Sequence, residues 1–329
     1  MKALILAAGK GSRLYPATKK TPKPLMPIAG KETLCYVIDE IIENGITEIG
    51  IVVSDENIDE ISLFTKKYYS KFKISMILQE EQFGVAHAVK ISKNFIQDDH
   101  FLLYLGDNLF ENGISKLVSK FKLNKNNIIS IKSVDDPRKF GVAEINKNGK
   151  LIKIVEKPEN PPSSLAVTGI YGFNNKIFDH IEKISLSKRG EYEITDAIKL
   201  SLESDDIVDT QIIDGWWVDT GNITDYLKAN EYKLISSKDP QDIKKINAQG
   251  TTIDSFSYAS TNSELLESQI INYTSIGENV SILNSVVENC VILGESKIEN
   301  YQLKNCILSK GTSLINMSPD RKIIENKII

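Results

Sequence analysis

Cysteine and histidine are scarce in this chain. Its 329 residues hold only Cys35, Cys290 and Cys306, and only His87, His100 and His180. Three cysteines leave one unpaired in any disulfide scheme, and their spacing suits no metal centre. Reduced thiols and a cytoplasmic location are therefore expected. No Ser-His-Asp or Cys-His set is apparent, which removes the usual activated nucleophiles. No run approaches the ~20 apolar residues that span a bilayer. The apolar stretch from Ala3 to Ala8 is too short for a signal peptide, and glycines follow it at once. Forty Lys and Arg against 44 Asp and Glu give a net charge of −4, so neither nucleic acid nor an anionic membrane is the expected partner.

The chain is long enough for about two domains, and two textures divide it. Up to about residue 235, strand-like and helix-like segments alternate. Ala3 to Ala7 reads as a buried strand, residues 34–42 as a helix ending at Asn44-Gly45, and Glu48 to Ser54 as the next strand. Further strands are expected at Ile74–Gln79, Phe101–Leu105 and Ile212–Val218, with helices from about Glu56 and Val85. A hairpin is expected at Val142–Ile145 and Leu151–Val155, around Asn148-Gly149. This alternation predicts an α/β domain, a Rossmann-like three-layer αβα arrangement on a mixed, mostly parallel sheet.

After Asp239-Pro240 the helical period disappears. From about Ile270, small apolar residues recur about every sixth position, with Ile270, Ile276 and Ile282 as one row and Val286, Ile292 and Ile298 as another. That spacing predicts a short parallel β-helix, with an antiparallel sandwich as the alternative. The expected domains are residues 1–238 and 239–329, the second holding a connector and the hexapeptide-repeat β-helix.

The opening stretch LILAAGKGSRLYPATKKTPKPLMPI has the look of a phosphate loop but fits neither familiar kind. Gly11 stands where a P-loop needs Ser or Thr. Leu14 stands where the dinucleotide fingerprint needs its third glycine. In open α/β sheets ligands sit beyond the carboxyl ends of the strands, so polar residues after each strand are the candidates. These are Gly9, Gly11 and Arg13, then Gln79 and Gly84, then Asp107, Glu156 and Lys157, and Asp219. Each has an ordinary explanation: a turn for the glycines, a helix cap for Asp107, a turn for Asp219. Lys23, between Pro22 and Pro24, sits on a stiff mount. Together, two aspartates and three cations around a glycine loop suit a nucleoside triphosphate with Mg²⁺.

These residues resemble the sugar nucleotidyltransferases. The resemblance rests on LAAGKGSRL with Lys23-Pro24-Leu25, on Gln79-Glu80-Glu81 with Gly84-Val-Ala-His-Ala88, and on Leu105-Gly-Asp-Asn108. It continues through Phe140-Gly-Val142, Val155-Glu-Lys-Pro158, Arg189 to Asp196 and Trp217-Val-Asp-Thr-Gly221. Within the family the chain is most similar to the long-type glucose-1-phosphate thymidylyltransferases, which carry a C-terminal left-handed β-helix. The resemblance implies that dTTP and glucose 1-phosphate give dTDP-glucose and pyrophosphate. Ala8, Gly9, Gly11 and Arg13 would hold the triphosphate, Lys23 would face the reacting phosphates, and Gln79 and Gly84 would read the base. Gly141, Glu156, Lys157, Gly169 and Tyr171 would hold the sugar phosphate, and Asp107 and Asp219 would hold Mg²⁺. Arg13, Lys23 and Asp107 would be the catalytic set. Ser12 stands where threonine is more usual. Alternatives are UTP as donor, another sugar 1-phosphate, or a non-catalytic regulatory relative. Acetyl transfer on the β-helix would need a histidine base, and that region has none. Homo-oligomerisation through the β-helix is expected.

Overall fold

In the computed structural model the described residues are 1–237, 246–318 and 320–329. They pack as two compact units, Met1–Gly9 with Val37–Trp217 and Lys10–Tyr36 with Val218–Ile329. The expected boundary at residues 238 and 239 lies outside the described residues.

The first unit is built on a nine-stranded mixed sheet. Its strands are β1 (Lys2–Leu6), β2 (Glu48–Val53), β3 (Lys73–Leu78), β4 (Phe101–Leu105), β5 (Asn127–Ser133), β6 (Gly141–Ile145), β7 (Leu151–Glu156), β8 (Leu165–Phe173) and β9 (Val208–Ile212). The order β4-β1-β2-β3 is parallel throughout. β1, β2 and β4 are almost wholly apolar because both of their faces are covered, while β3, at the sheet edge, is only partly buried. β8 runs antiparallel to β4, β5 and β6, and β6 with β7 forms the expected hairpin. β9 pairs in parallel with β5.

The longer helices are α1 (Thr33–Glu43), α2 (Ile58–Tyr68), α3 (Val85–Ile91), α4 (Ser115–Asn124), α5 (Lys176–Ile181), α6 (Ile194–Glu203) and α7 (Ile223–Ser236). Side chains along a strand alternate between faces, and β8 shows both helix layers at once. Tyr171 and Phe173 join the core that holds Val89, Ile177, Phe178 and Ile198 of α3, α5 and α6. Gly172, between them, faces the other side, where a Cβ would stand 2.6 Å from Phe121 of α4. The expected three layers are present. The expected strand from Ile212 to Val218 is instead two. Gly215, at φ +76°, breaks it, and Trp217–Asp219 forms a separate short strand.

The second unit contains the β-helix. Among the described residues thirteen short strands form three parallel sheets, and every pairing among them is parallel, which disposes of the sandwich alternative. Ile270, Ile276 and Ile282 point inward, one from each sheet, and all are fully buried. In the next coil the inward residue is Val287, paired with Ile270, and not Val286. The reason is that one corner is a residue shorter, so the inward step there is five rather than six. The left-handed β-helix also starts earlier than expected, because Thr252–Ile253, Tyr258–Ala259 and Glu264–Leu266 already form a coil.

Asparagines at the corners adopt positive φ, among them Asn284, Asn289, Asn300 and Asn305. Asparagine tolerates that conformation because its short polar side chain bonds locally. Here the side chains also bond from coil to coil, Asn284 to Asn300 at 2.6 Å and Asn289 to Asn305 at 2.8 Å. The three cysteines are buried free thiols. Among the described residues no helix is long and apolar enough to cross a membrane.

Candidate active site

In the first unit the chain leaves β1 through Ala7 and Ala8. The Ala7 amide bonds the Val52 carbonyl, and the Ala8 carbonyl accepts from Gln82 Nε2 at 2.6 Å. Gly9 follows with open space around its Cα. At the end of β3, Gln79 is buried, and its Nε2 lies 3.1 Å from His87 Nδ1 and 3.5 Å from the Gly84 carbonyl. Gly84 has φ +97°, and a Cβ there would stand 2.8 Å from the Tyr192 carbonyl, so only glycine fits. His87, to which the sequence gives no role, therefore orients the residue expected to read the base. Its ring packs against Phe83 and Tyr192. Burial pulls its titration below the ordinary 6.5.

At the end of β4 the Gly106 amide bonds the Leu6 carbonyl at 2.9 Å. Asp107 follows in a turn that leads into the short strand Asn108–Phe110, so it caps no helix. Asn108 Nδ2 donates to Asp107 Oδ1 at 2.8 Å, and Asn108 Oδ1 accepts from Trp217 Nε1 at 2.7 Å. A relay of two bonds thus fixes the carboxylate.

The residues expected to hold the sugar phosphate lie together in this unit. Gly141 and Glu156 are partners across β6 and β7. Glu156 Oε2 accepts from Thr195 Oγ1 at 3.1 Å, and Glu156 Oε1 from Arg189 Nη1 at 3.2 Å. Lys157 Nζ stands 3.7 Å from Glu156 Oε1. A Cβ on Gly141 would sit 2.9 Å from Thr195 Cγ2 and 3.3 Å from Glu156 Oε2. Tyr171 is buried, and burial followed by the Glu156 charge pushes its hydroxyl well above the ordinary range. Gly169, at φ +81°, lies where β8 stops pairing with β6 and takes up β4. Arg189 also meets Glu191 at 2.6 Å and Glu193 at 3.7 Å. Glu193 titrates above the usual carboxylate range because it is buried. The sequence marks residues 189–196 only as a block, since ion pairing of this kind leaves no pattern in spacing.

Gly11, Arg13, Lys23 and Asp219 belong to the second unit. Gly11, at φ 62°, starts a tight turn over Ser12–Leu14. Its carbonyl accepts from Thr18 Oγ1 at 2.9 Å, and the stem of Lys23 lies against it, with Cβ 3.1 Å from a built Gly11 Cβ. Lys23 opens a second tight turn that Pro22 and Pro24 flank. Arg13 Nη2 and Asp219 Oδ1 both line Gly221, at 2.9 and 3.1 Å from where a Cβ would be. Asn222, not Asp219, caps α7, its Oδ1 accepting from the Asp225 amide at 3.1 Å. The Gly221 amide donates to the Asp219 carbonyl at 2.8 Å, so Asp219 also stands in the turn that its ordinary explanation called for.

Among the described residues there is no group of three or more His, Cys, Asp or Glu that could hold a metal. Asp107 and Asp219 are oxygen donors only. Each is the kind of oxygen donor that a hard ion such as Mg²⁺ prefers.

Comparison with known proteins identifies a family. The family described as Nucleotidyl transferase matches residues 2–235. The low-salt glycan biosynthesis nucleotidyltransferase Agl11 of Haloferax volcanii is 34% identical over 95% of this chain and 94% of its own. A glucose-1-phosphate thymidylyltransferase of Streptomyces griseus is 33% identical over 95% of this chain and 88% of its own. A Bacillus anthracis crystal structure, described as a glucose-1-phosphate thymidylyltransferase with sucrose bound, superposes with a TM-score of 0.65 at 36% identity. It covers 70% of this chain and 94% of its own. The family model covers residues 2–235 and two relatives above 30% identity match 95% of this chain, so the chain belongs to the nucleotidyl transferase family.

Proposed function

We propose that the protein transfers a thymidylyl group from dTTP to glucose 1-phosphate, releasing pyrophosphate. The observation that carries this reading is the meeting of the Arg13 guanidinium and the Asp219 carboxylate at Gly221. A cation and a carboxylate gathered at one glycine, which brings no side chain of its own, are what a metal-bound triphosphate requires. The thymidylyltransferase from Streptomyces griseus, alike over 95% of this chain, supports the choice of base and sugar.

A phosphate oxygen of the sugar 1-phosphate attacks the α-phosphorus in line. The bond from the α-phosphorus to the bridging oxygen breaks, and pyrophosphate leaves. Arg13 and Lys23 offset the charge that grows on the leaving group. Asp107 and Asp219 would hold Mg²⁺, which supplies Lewis-acid polarisation of the phosphates when bound. Glu156 accepts from sugar hydroxyls while Arg189 and Thr195 fix its orientation, and Lys157 meets the sugar phosphate. Gln79 reads the imide edge that thymine shares with uracil.

The last coil of the β-helix serves self-association. Its end strand Lys322–Glu325 pairs on one side with Tyr301–Lys304, and Ile323 and Met317 are 61% and 90% exposed. A grid of nucleoside triphosphates against sugar 1-phosphates, scored by pyrophosphate release with Mg²⁺, tests the reaction. Fastest turnover with dTTP and glucose 1-phosphate is expected. A clear preference for another pair would replace the substrates, and silence across the grid would sink the reading.

A further inference from the structure

The β-helix is joined within its own unit to the segment that carries Arg13 and Lys23, and one buried side chain is at the centre of the junction. Asn230, on α7, is fully buried. Its Oδ1 accepts from the Ala29 amide at 2.8 Å and from Ser275 Oγ at 2.7 Å. Its Nδ2 donates to the Tyr273 carbonyl at 2.6 Å. One amide thus ties the segment 10–36 to a corner of the β-helix. A turn earlier on the same helix, the Tyr226 hydroxyl donates to the Pro27 carbonyl at 2.7 Å. On the segment's far side Lys20 Nζ bonds the Lys310 carbonyl at 3.1 Å, and Gly30 lies against the Tyr258 ring.

We infer that Asn230 is a positioning residue for the triphosphate cations, and that the β-helix acts as the mount of that loop. The chain of contacts is short. Ala29 lies six residues beyond Lys23, and the turn between them is closed by the bonds from Leu25 N to the Pro22 carbonyl and from Met26 N to the Lys23 carbonyl. Thr33 Oγ1 bonds the Met26 carbonyl at 2.8 Å, so the segment from Lys23 to Thr33 is internally tied as well. At the other end α7 begins directly after Gly221, where Arg13 and Asp219 meet. A buried amide with all its polar atoms engaged allows one arrangement only, because any shift strands a donor or an acceptor. Hydrophobic contact alone would permit sliding. The inference rests on reading Arg13 and Lys23 as triphosphate ligands.

The test uses Asn230→Ala in the full chain, read in two ways. Amide exchange at Leu25 and Met26 should rise about tenfold, the size that loss of one hydrogen bond carries. The KM for the nucleoside triphosphate should rise by a similar factor, while that for the sugar 1-phosphate stays within about twofold. A residue needed only for folding would lower the melting temperature and leave the two KM values in their wild-type ratio. That outcome, or wild-type exchange at residues 25 and 26, overturns the proposal. If Asn230→Ala does not fold, Ser275→Ala removes a single coil-side bond and decides the matter. A smaller rise in the same two quantities supports the mount, and no change in either refutes it. The exchange measurement needs no substrate, so it separates failure of the mount from failure of the assigned reaction.

Discussion

Gln79 Nε2 lies 3.1 Å from His87 Nδ1. With the amide as donor, the imidazole nitrogen must accept, so His87 is neutral when Gln79 is held for base reading. Burial lowers the His87 titration from its ordinary 6.5. The neutral form is favoured in the fold, so the contribution is complete above 6.5 and is lost as pH falls through the lower, folded value. The KM for the nucleotide should therefore rise several-fold as pH is taken from about 7.5 to about 5.5. In His87→Asn, which keeps a neutral acceptor, that rise should flatten. A pH profile equal in the two proteins would contradict the pairing.

Lys23→Ala and Asp107→Ala should fold normally and lose pyrophosphate release by about 10²-fold or more. Neither residue supports the core. Circular dichroism checks the fold and a coupled phosphate assay checks turnover. Near-normal turnover in both would remove them from the catalytic set.

Gly141→Ala puts a methyl 2.9 Å from Thr195 Cγ2 and 3.3 Å from Glu156 Oε2. Thr195 must then move, and Glu156 loses one of its two fixed partners. Overpacking of this kind costs about 1–3 kcal/mol. The KM for the sugar 1-phosphate should rise while that for the nucleotide stays put. Thr195→Ser, which keeps the hydroxyl and drops the methyl, should relieve the double variant in part.

Asn300 has φ 60°, accepts from Asn284 and donates to the Asn316 carbonyl at 2.8 Å. Asn300→Gly keeps the backbone comfortable and forfeits the ladder, at about 1 kcal/mol. Asn300→Val adds left-handed strain of about 1–3 kcal/mol. Thermal unfolding should rank them wild type, glycine, valine. Equal melting temperatures for glycine and valine would show that the corner conformation carries no strain.

Much of the first unit was legible because its periods are plain. Phe101–Leu105 and the hairpin around Asn148-Gly149 read directly from apolar runs and a turn pair. The strand expected across Ile212–Val218 failed because the pair Asp214-Gly215 interrupts the apolar run, a turn signal that the flanking apolar residues outweighed. The inward row of the β-helix slipped by one at Val287 because a corner lost a residue that periodicity assumed. His87 was invisible because nothing in a sequence says that a helix turn brings its ring to Gln79. The union of residues 10–36 with the β-helix was hidden for the same reason, since Asn230 is one polar residue among several on its helix and nothing in the sequence marks it as the buried one. Glycines and charges beyond strand ends were easier, because the sheet's geometry says where to look.

The unequal coils have one more effect. From the first coil to the second, each sheet advances by 17 residues, as in Thr252 to Gln269 and Tyr258 to Ser275. From the second coil on most steps are 16, as in Ser275 to Val291 and Lys297 to Ser313, while Gln269 to Val286 is still 17 and Tyr301 to Lys322 is 21. A stack of identical coils could misfold by sliding one whole coil along and lose little, since every strand would find an equivalent partner. Here such a slide misaligns the inward residues, and a shift of one residue in a strand turns its side chains to the other face. The irregularity that defeats a simple repeat count thus gives the growing stack a single correct alignment.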